Sequence, residues 1–135
     1  MKKAFSESTV RLRMRGELRW LETNDFPSWV EFATAERSDP FDCSGWFSCG
    51  IGPDGEASTE NFQFVAATPG AVSRVQSERR RQRLLVVDEF TREAIESMLR
   101  VYVSRITGHS WSEISSQLRK TMYSEYESTN GGPKR

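Results

Sequence analysis

The sequence predicts an α+β domain, an antiparallel sheet of about four strands with two C-terminal helices packed on one face. Three observations predict it. Apolar residues alternate with polar ones, the period of a half-buried strand, in several short runs before residue 88. Beyond residue 90 the apolar spacing changes to i, i+3, i+4, i+7, the stripe of a helix packed on a core. The strands all precede the helices, and short connections favour antiparallel neighbours. A chain of 135 residues has the size of one domain, and its eight Phe and four Trp supply a core. The domain is expected over residues 1–127, with a frayed tail at 128–135 that carries Gly131, Gly132 and Pro133.

In the first strand Val10, Leu12, Met14, Leu18 and Trp20 share one parity, and Arg11, Arg13, Arg15, Glu17 and Arg19 hold the other. The outer face is thus a stripe of Arg, a charged guard on an exposed strand. Residues 22–42 are acidic and irregular, broken by Pro27 and Pro40, with a short turn or helix at 25–32. Gly45 to Ile51 is the second strand, with Phe47, Cys49 and Ile51 on one face and Trp46 on the other. Pro53-Asp54-Gly55 is a turn, and Asn61 to Ala67 returns with Phe62, Phe64 and Ala66 on one face, making a hairpin. Thr68-Pro69-Gly70 stops that strand, and residues 73–83 read as a polar, basic surface loop or short helix. Leu84 to Val87 is apolar in both parities, as in a central strand covered on both sides or a strand running into a helix. Thr91 caps the first helix, Glu93 sits in its first turn, and Gly108 ends it. Its stripe is Ala94, Ile95, Met98, Leu99, Tyr102, Val103 and Ile106. Ser110-Trp111-Ser112-Glu113 is a capping box for the second helix, whose apolar face is Trp111, Ile114, Leu118 and Met122.

The formal net charge is zero, yet the charges are segregated. Residues 1–21 carry six Lys/Arg and two acids, whereas residues 22–60 carry nine Asp/Glu and one Arg, a net −8. Such a segment is either a solvated loop or a surface for a basic partner. No apolar run is long enough to span a bilayer, and no apolar stretch follows the two N-terminal Lys, so a cytoplasmic protein is expected. Cys43 and Cys49 are too few for a disulfide framework.

Gly50-Ile51-Gly52-Pro53-Asp54-Gly55 fits G-x-G-x-x-G, but a turn and an alternating strand follow where a dinucleotide site needs a helix. His109 is the only His, and Cys43 and Cys49 are spaced wrongly for zinc, so no metal site and no cofactor are expected. No nucleophile elbow or other catalytic set accompanies His109, which reads as a polar residue in an interhelical turn. Glu113 is explained by its place in a first turn, and Asp88 and Glu89, adjacent at a strand end, point opposite ways. No catalytic residue is assigned, and the protein is not expected to be an enzyme.

From Asp39 onward the order of segments resembles the immunity protein 8 family of bacterial polymorphic-toxin and contact-dependent growth inhibition systems. The resemblance is carried by Gly45 to Gly55, by Asn61 to Val65 with Thr68-Pro69, and by Leu84 to Phe90. It continues through Ile95 to Ile106, the Gly108-His109-Ser110-Trp111 junction, and Leu118, and earlier Glu17-Leu18 with the acidic stretch behind it fits the family pattern more loosely. It implies a protein that binds a cognate toxin domain and blocks it, with no activity and no cofactor of its own. The Arg-rich residues 79–83 and the ending Tyr123-Ser124-Glu125-Tyr126-Glu127 depart from the family pattern.

The expected toxin contacts are Glu31, Glu36, Asp39 and Asp42, with Trp29 and Trp46 as aromatic anchors; a basic toxin such as a nuclease suits that charge. Trp46, opposite the core parity of its strand, alternatively fills the other side of a twisted sheet. The competing reading is a small nucleic-acid-binding adaptor using Arg11, Arg13, Arg15 and residues 79–83, which a neutral chain with a pI near 6.6 does not favour.

Overall fold

Pro53-Asp54-Gly55 separates two alternating runs, and the chain reverses there. β2 (Ser44–Pro53) and β3 (Glu60–Ala67) pair antiparallel in unbroken register from Ser44↔Ala67 to Ile51↔Glu60. Gly55 has φ 85°, a left-handed conformation that favours glycine. The expected hairpin is present, and a strand follows the glycines where a nucleotide site needs a helix. The structure is a computed structural model that describes residues 13–78 and 83–126.

β1 (Met14–Thr23) pairs antiparallel with β2, and its register shifts between Leu18 and Trp20. The bulge moves one residue out of step and swaps the faces beyond it. Leu18 is buried, but Trp20 is 37% exposed and Leu21 takes the inward position. The expectation that Trp20 shares the core face of Met14 and Leu18 is therefore corrected. Its indole instead lies against Gly50, where a Cβ would overlap Nε1. Val10, Arg11 and Leu12 lie outside the described residues.

The other side of β3 is shared by two short strands. β4 (Leu84–Val86) runs parallel to Val65–Ala67, and β6 (Tyr123–Ser124) runs antiparallel to Phe62–Gln63. β5 (Thr107–Gly108) pairs with Met14 and Arg15. The sheet is mixed and six-stranded among the described residues, in the order β4-β3-β2-β1-β5 with β6 beside β3. The expectation of about four strands, all antiparallel, is corrected on both counts. Parallel neighbours need a crossover, and α2 (Pro69–Glu78) supplies it. Pro69 opens that helix, where its missing N–H costs nothing. β4 is a sheet-end strand, not a central one: Leu85 and Val87 are buried and Val86 is 48% exposed.

The core has two layers. On one face Phe47, Cys49, Ile51, Phe62 and Phe64 pack under α3 (Arg92–Ser104) and α4 (Trp111–Leu118) through Ile95, Leu99, Val103, Ile114 and Leu118. Burying each such Phe contributes roughly 1.5–3 kcal/mol. On the opposite parity Val65 and Ala67 pack with Ala71 and Val75 of α2. The two C-terminal helices share one face as expected, and α2 covers the other.

The caps form where the sequence places them. Thr91 Oγ1 accepts from Ala94 N at 3.1 Å, and Ser110 Oγ accepts from Glu113 N at 3.3 Å. Glu113 Oε1 reaches back to His109 N at 2.8 Å. α3 ends at Ser104, before Gly108, which pairs with Met14 in β5. Beneath α4 lies a buried carboxylate with no signal in the sequence. Glu60, 5% exposed, accepts from Trp111 Nε1 at 2.8 Å, Ser115 Oγ at 3.2 Å, Arg119 Nη2 at 3.5 Å and Ser124 Oγ. It ties β3, α4 and β6 together.

Candidate interaction surface

The acidic segment is built on one buried aromatic ring. Ser28 caps α1 (Trp29–Thr34) by accepting from Glu31 N at 3.4 Å, and its hydroxyl bonds the Glu31 carboxylate. This single-turn helix has too few residues to be stable alone, so tertiary contact must hold it. Phe32, 2% exposed, does so by packing among Phe26, Trp29, Phe47 and Phe90 with ring centroids 5.1–5.8 Å away. Trp29 is half-buried, donates Nε1 to Leu21 O at 3.2 Å and stacks 6.0 Å from Phe47.

Past α1 the chain turns back under its own charge. The Arg37 guanidinium lies 4.5 Å from the Phe32 centroid and 5.0 Å from that of Phe90, and donates to Phe32 O at 3.0 Å and Ala35 O at 3.3 Å. It separates two cavities that share the rings of Phe32 and Phe90. The first, about 410 Å³, carries Asp25, Glu36, Asp39 and Asp42 on its walls. The second, about 360 Å³, is lined by Trp29, Val30 and the start of α3.

The carboxylates of the first cavity differ in what holds them. Asp42 pairs with Arg74 at 2.7 Å, with both side chains near half exposure, a geometry worth at most about 1 kcal/mol in water. Asp25 Oδ2 accepts from Trp46 N at 3.0 Å, and Asp39 Oδ1 accepts from Phe41 N at 2.9 Å. Neither these two nor Glu36 has a cation within ion-pair distance among the described residues. Gly45 lies close beneath them: a Cβ there would meet Asp25 Oδ2 at 2.8 Å and Phe90 Cζ at 3.2 Å, so both side chains would have to give way. Burial pushes the Cys43 thiol above its ordinary pKa, and Asp39 and Asp42 push the same way, against Arg37 and Arg74. Cys49, in the core, is raised by burial alone.

Of the six residues named from the sequence, Glu36, Asp39 and Asp42 meet at this cavity, and Trp29 lines its neighbour. Glu31 is exposed on α1 nearby. Trp46 is not with them. Its ring packs 5.7 Å from Tyr123 and against the Val65 cluster, on the other face of the sheet. Sequence reasoning missed Asp25, Arg37 and Phe90, which reach the cavity only through the fold. It also missed the two large apolar side chains of the segment, Val30 and Phe41, each 70% exposed.

The competing Arg surface is divided. Arg13 and Arg15 are exposed, while Arg83 stacks 4.5 Å from Tyr123 and donates to Met122 O at 2.7 Å, as a packing residue does. Arg11 and residues 79–82 lie outside the described residues. His109 is exposed, with Nε2 3.5 Å from Arg13 Nη1, and Asp88 and Glu89 are exposed. Among the described residues no group of three His, Cys, Asp or Glu is placed to hold a metal ion. No helix among them is long and apolar enough to cross a membrane.

The model of the immunity protein 8 family matches residues 17–129. The chain belongs to the immunity protein 8 family. The matched span runs from β1 through β6 and contains the whole acidic segment and both cavities, and it begins at Glu17, where the looser part of the resemblance also begins. No curated protein and no solved structure matches the chain. Membership of this immunity family implies a cognate toxin as partner.

Proposed function

We propose that this protein binds the toxin domain of its own polymorphic-toxin system, in the cytoplasm of the producing cell, and neutralises it by direct blockade. The observation that carries the reading is the family match over residues 17–129. The contact surface is the acidic segment, with Glu31, Glu36, Asp39 and Asp42 facing the partner and Trp29, in the neighbouring cavity, as the anchor. Trp46, on the opposite sheet face, is left out of it. A basic toxin such as a nuclease suits this surface, because complementary charge speeds encounter and fixes orientation. Neutralisation in this form needs a complementary interface and no chemistry from the immunity protein.

The test is calorimetric titration against the toxin domain encoded beside the gene, with growth rescue on co-expression as the companion readout. Tight one-to-one binding with rescue is expected. Absence of both overturns the reading. Charge reversal at Asp39 and Asp42 should slow association and flatten its salt dependence; unchanged kinetics would move the contact elsewhere.

A further inference from the structure

Phe41 is the most exposed aromatic side chain among the described residues, at 70%. Its ring joins neither core cluster and has no aromatic or guanidinium partner among them. On a loose loop such a ring would move with the chain or fold back onto apolar surface. Phe41 is instead pinned at both of its backbone polar groups. Its N–H donates to Asp39 Oδ1 at 2.9 Å, and its carbonyl accepts from Thr68 Oγ1 at 2.7 Å and from Gly70 N at 3.1 Å. The residues after it are held the same way. Asp42 N donates to Asp39 O at 3.0 Å, Cys43 N to Thr68 Oγ1 at 2.9 Å, and Thr68 N to Cys43 O at 2.9 Å. Thr68 is buried, so the clamp belongs to the folded core at the start of α2. Gly70 makes room for it, since a Cβ there would overlap Phe41 O.

A fixed backbone that carries an uncovered aromatic ring is a preorganised anchor, because folding has already ordered what binding would otherwise have to order. The surroundings specify the receptor. Asp39 and Asp42 stand on either side of Phe41 in the turn, and Asp39 has no cation within ion-pair distance among the described residues. A complementary partner therefore offers an apolar pocket with basic groups at its mouth. Two copies of this chain meeting turn to turn would instead bring like charges together.

We infer that Phe41 is an anchor of the toxin interface: its ring enters an apolar pocket on the toxin whose mouth carries Lys or Arg facing Asp39 and Asp42. The inference rests on the immunity reading and adds to it a fixed aromatic knob on the turn that walls the first cavity, where Trp29 lines the second.

The test titrates four forms of the full chain against the same toxin domain by calorimetry: wild type, Phe41→Ala, Gly70→Ala and Val101→Ala. Val101, 45% exposed on α3, controls for the loss of any exposed apolar side chain. Phe41→Ala should bind about 30-fold or more weakly with its urea midpoint unchanged, and Val101→Ala within about threefold of wild type. Gly70→Ala keeps the ring but displaces the backbone that aims it, and the folded variant should bind about tenfold or more weakly. If Phe41→Ala binds like wild type while growth rescue persists, the anchor is wrong and immunity stands. Equal weakening by Phe41→Ala and Val101→Ala overturns it too, as does a marked fall in the Phe41→Ala midpoint, which would make the ring structural. Wild-type affinity in folded Gly70→Ala overturns the fixed orientation. Sedimentation showing a wild-type dimer that Phe41→Ala dissolves without loss of toxin binding gives the ring to a second copy instead. No binding by wild type removes the anchor and the immunity reading together.

Discussion

Glu60 and the quartet of Asp25, Glu36, Asp39 and Asp42 use the same functional group in opposite ways. Glu60 is buried and receives donors from Trp111, Ser115, Arg119 and Ser124. A carboxylate out of water is tolerated only when so satisfied, and its reach then locks the elements that supply the donors. The quartet is exposed, keeps much of its hydration and has one cation, Arg74, paired within it. Its contacts are fewer: one ion pair and two backbone N–H donors. Acidity alone therefore does not tell a structural carboxylate from an exposed one; the number of donors already committed to each does.

The comparison breaks most visibly at Glu60. Glu60→Ala strands four donors beneath α4 and should cost about 3–5 kcal/mol, read as a fall in the urea midpoint. A cost within error of zero would mean that the network contributes no net stability. Phe32→Ala comes next, at about 3 kcal/mol, because it opens a cavity under α1 and frees the helix that carries Trp29 and Glu31. It should lower both stability and toxin affinity, whereas Glu60→Ala measured below its unfolding range should leave affinity intact. Ser110→Ala removes the cap of α4 for about 1 kcal/mol. At the small end, Glu36→Gln with Asp39→Asn should leave the urea midpoint unchanged within error while weakening toxin binding. A large stability loss there would make the quartet structural and erase the contrast.

Much of this arrangement is legible in the chain. The β2–β3 hairpin follows from Phe47, Cys49 and Ile51 alternating up to Pro53-Asp54-Gly55, and the caps at Thr91 and Ser110 fix the starts of α3 and α4. The bulge between Leu18 and Trp20 is not legible, since a single unpaired residue leaves the composition of the strand unchanged and only reverses its faces. Helix α2 is half legible, as one of two readings of residues 73–83, because Ala71 and Val75 are its buried residues in an otherwise polar stretch. β5 and β6, two residues each, carry no period at all. At the site, the −8 charge of residues 22–60 pointed to Glu36, Asp39 and Asp42, but it gave no reason to set Glu60, in the same segment, apart from them. Trp46, counted as an anchor by its neighbours in sequence, sits on the other side of the sheet from Trp29.

The sequence by itself determined the α+β class, the hairpin, the two capped C-terminal helices and the charged character of the 22–60 segment, because each depends on neighbours within a few residues. The immunity family, too, is legible in the order of those segments. The parallel β3–β4 pair, the covering of the second sheet face by α2, the donors gathered on Glu60 and the aromatic floor shared by Phe32 and Phe90 were decided only in three dimensions. Each joins side chains tens of residues apart, and local periodicity carries no information about which distant element will arrive to bury a ring or satisfy a charge.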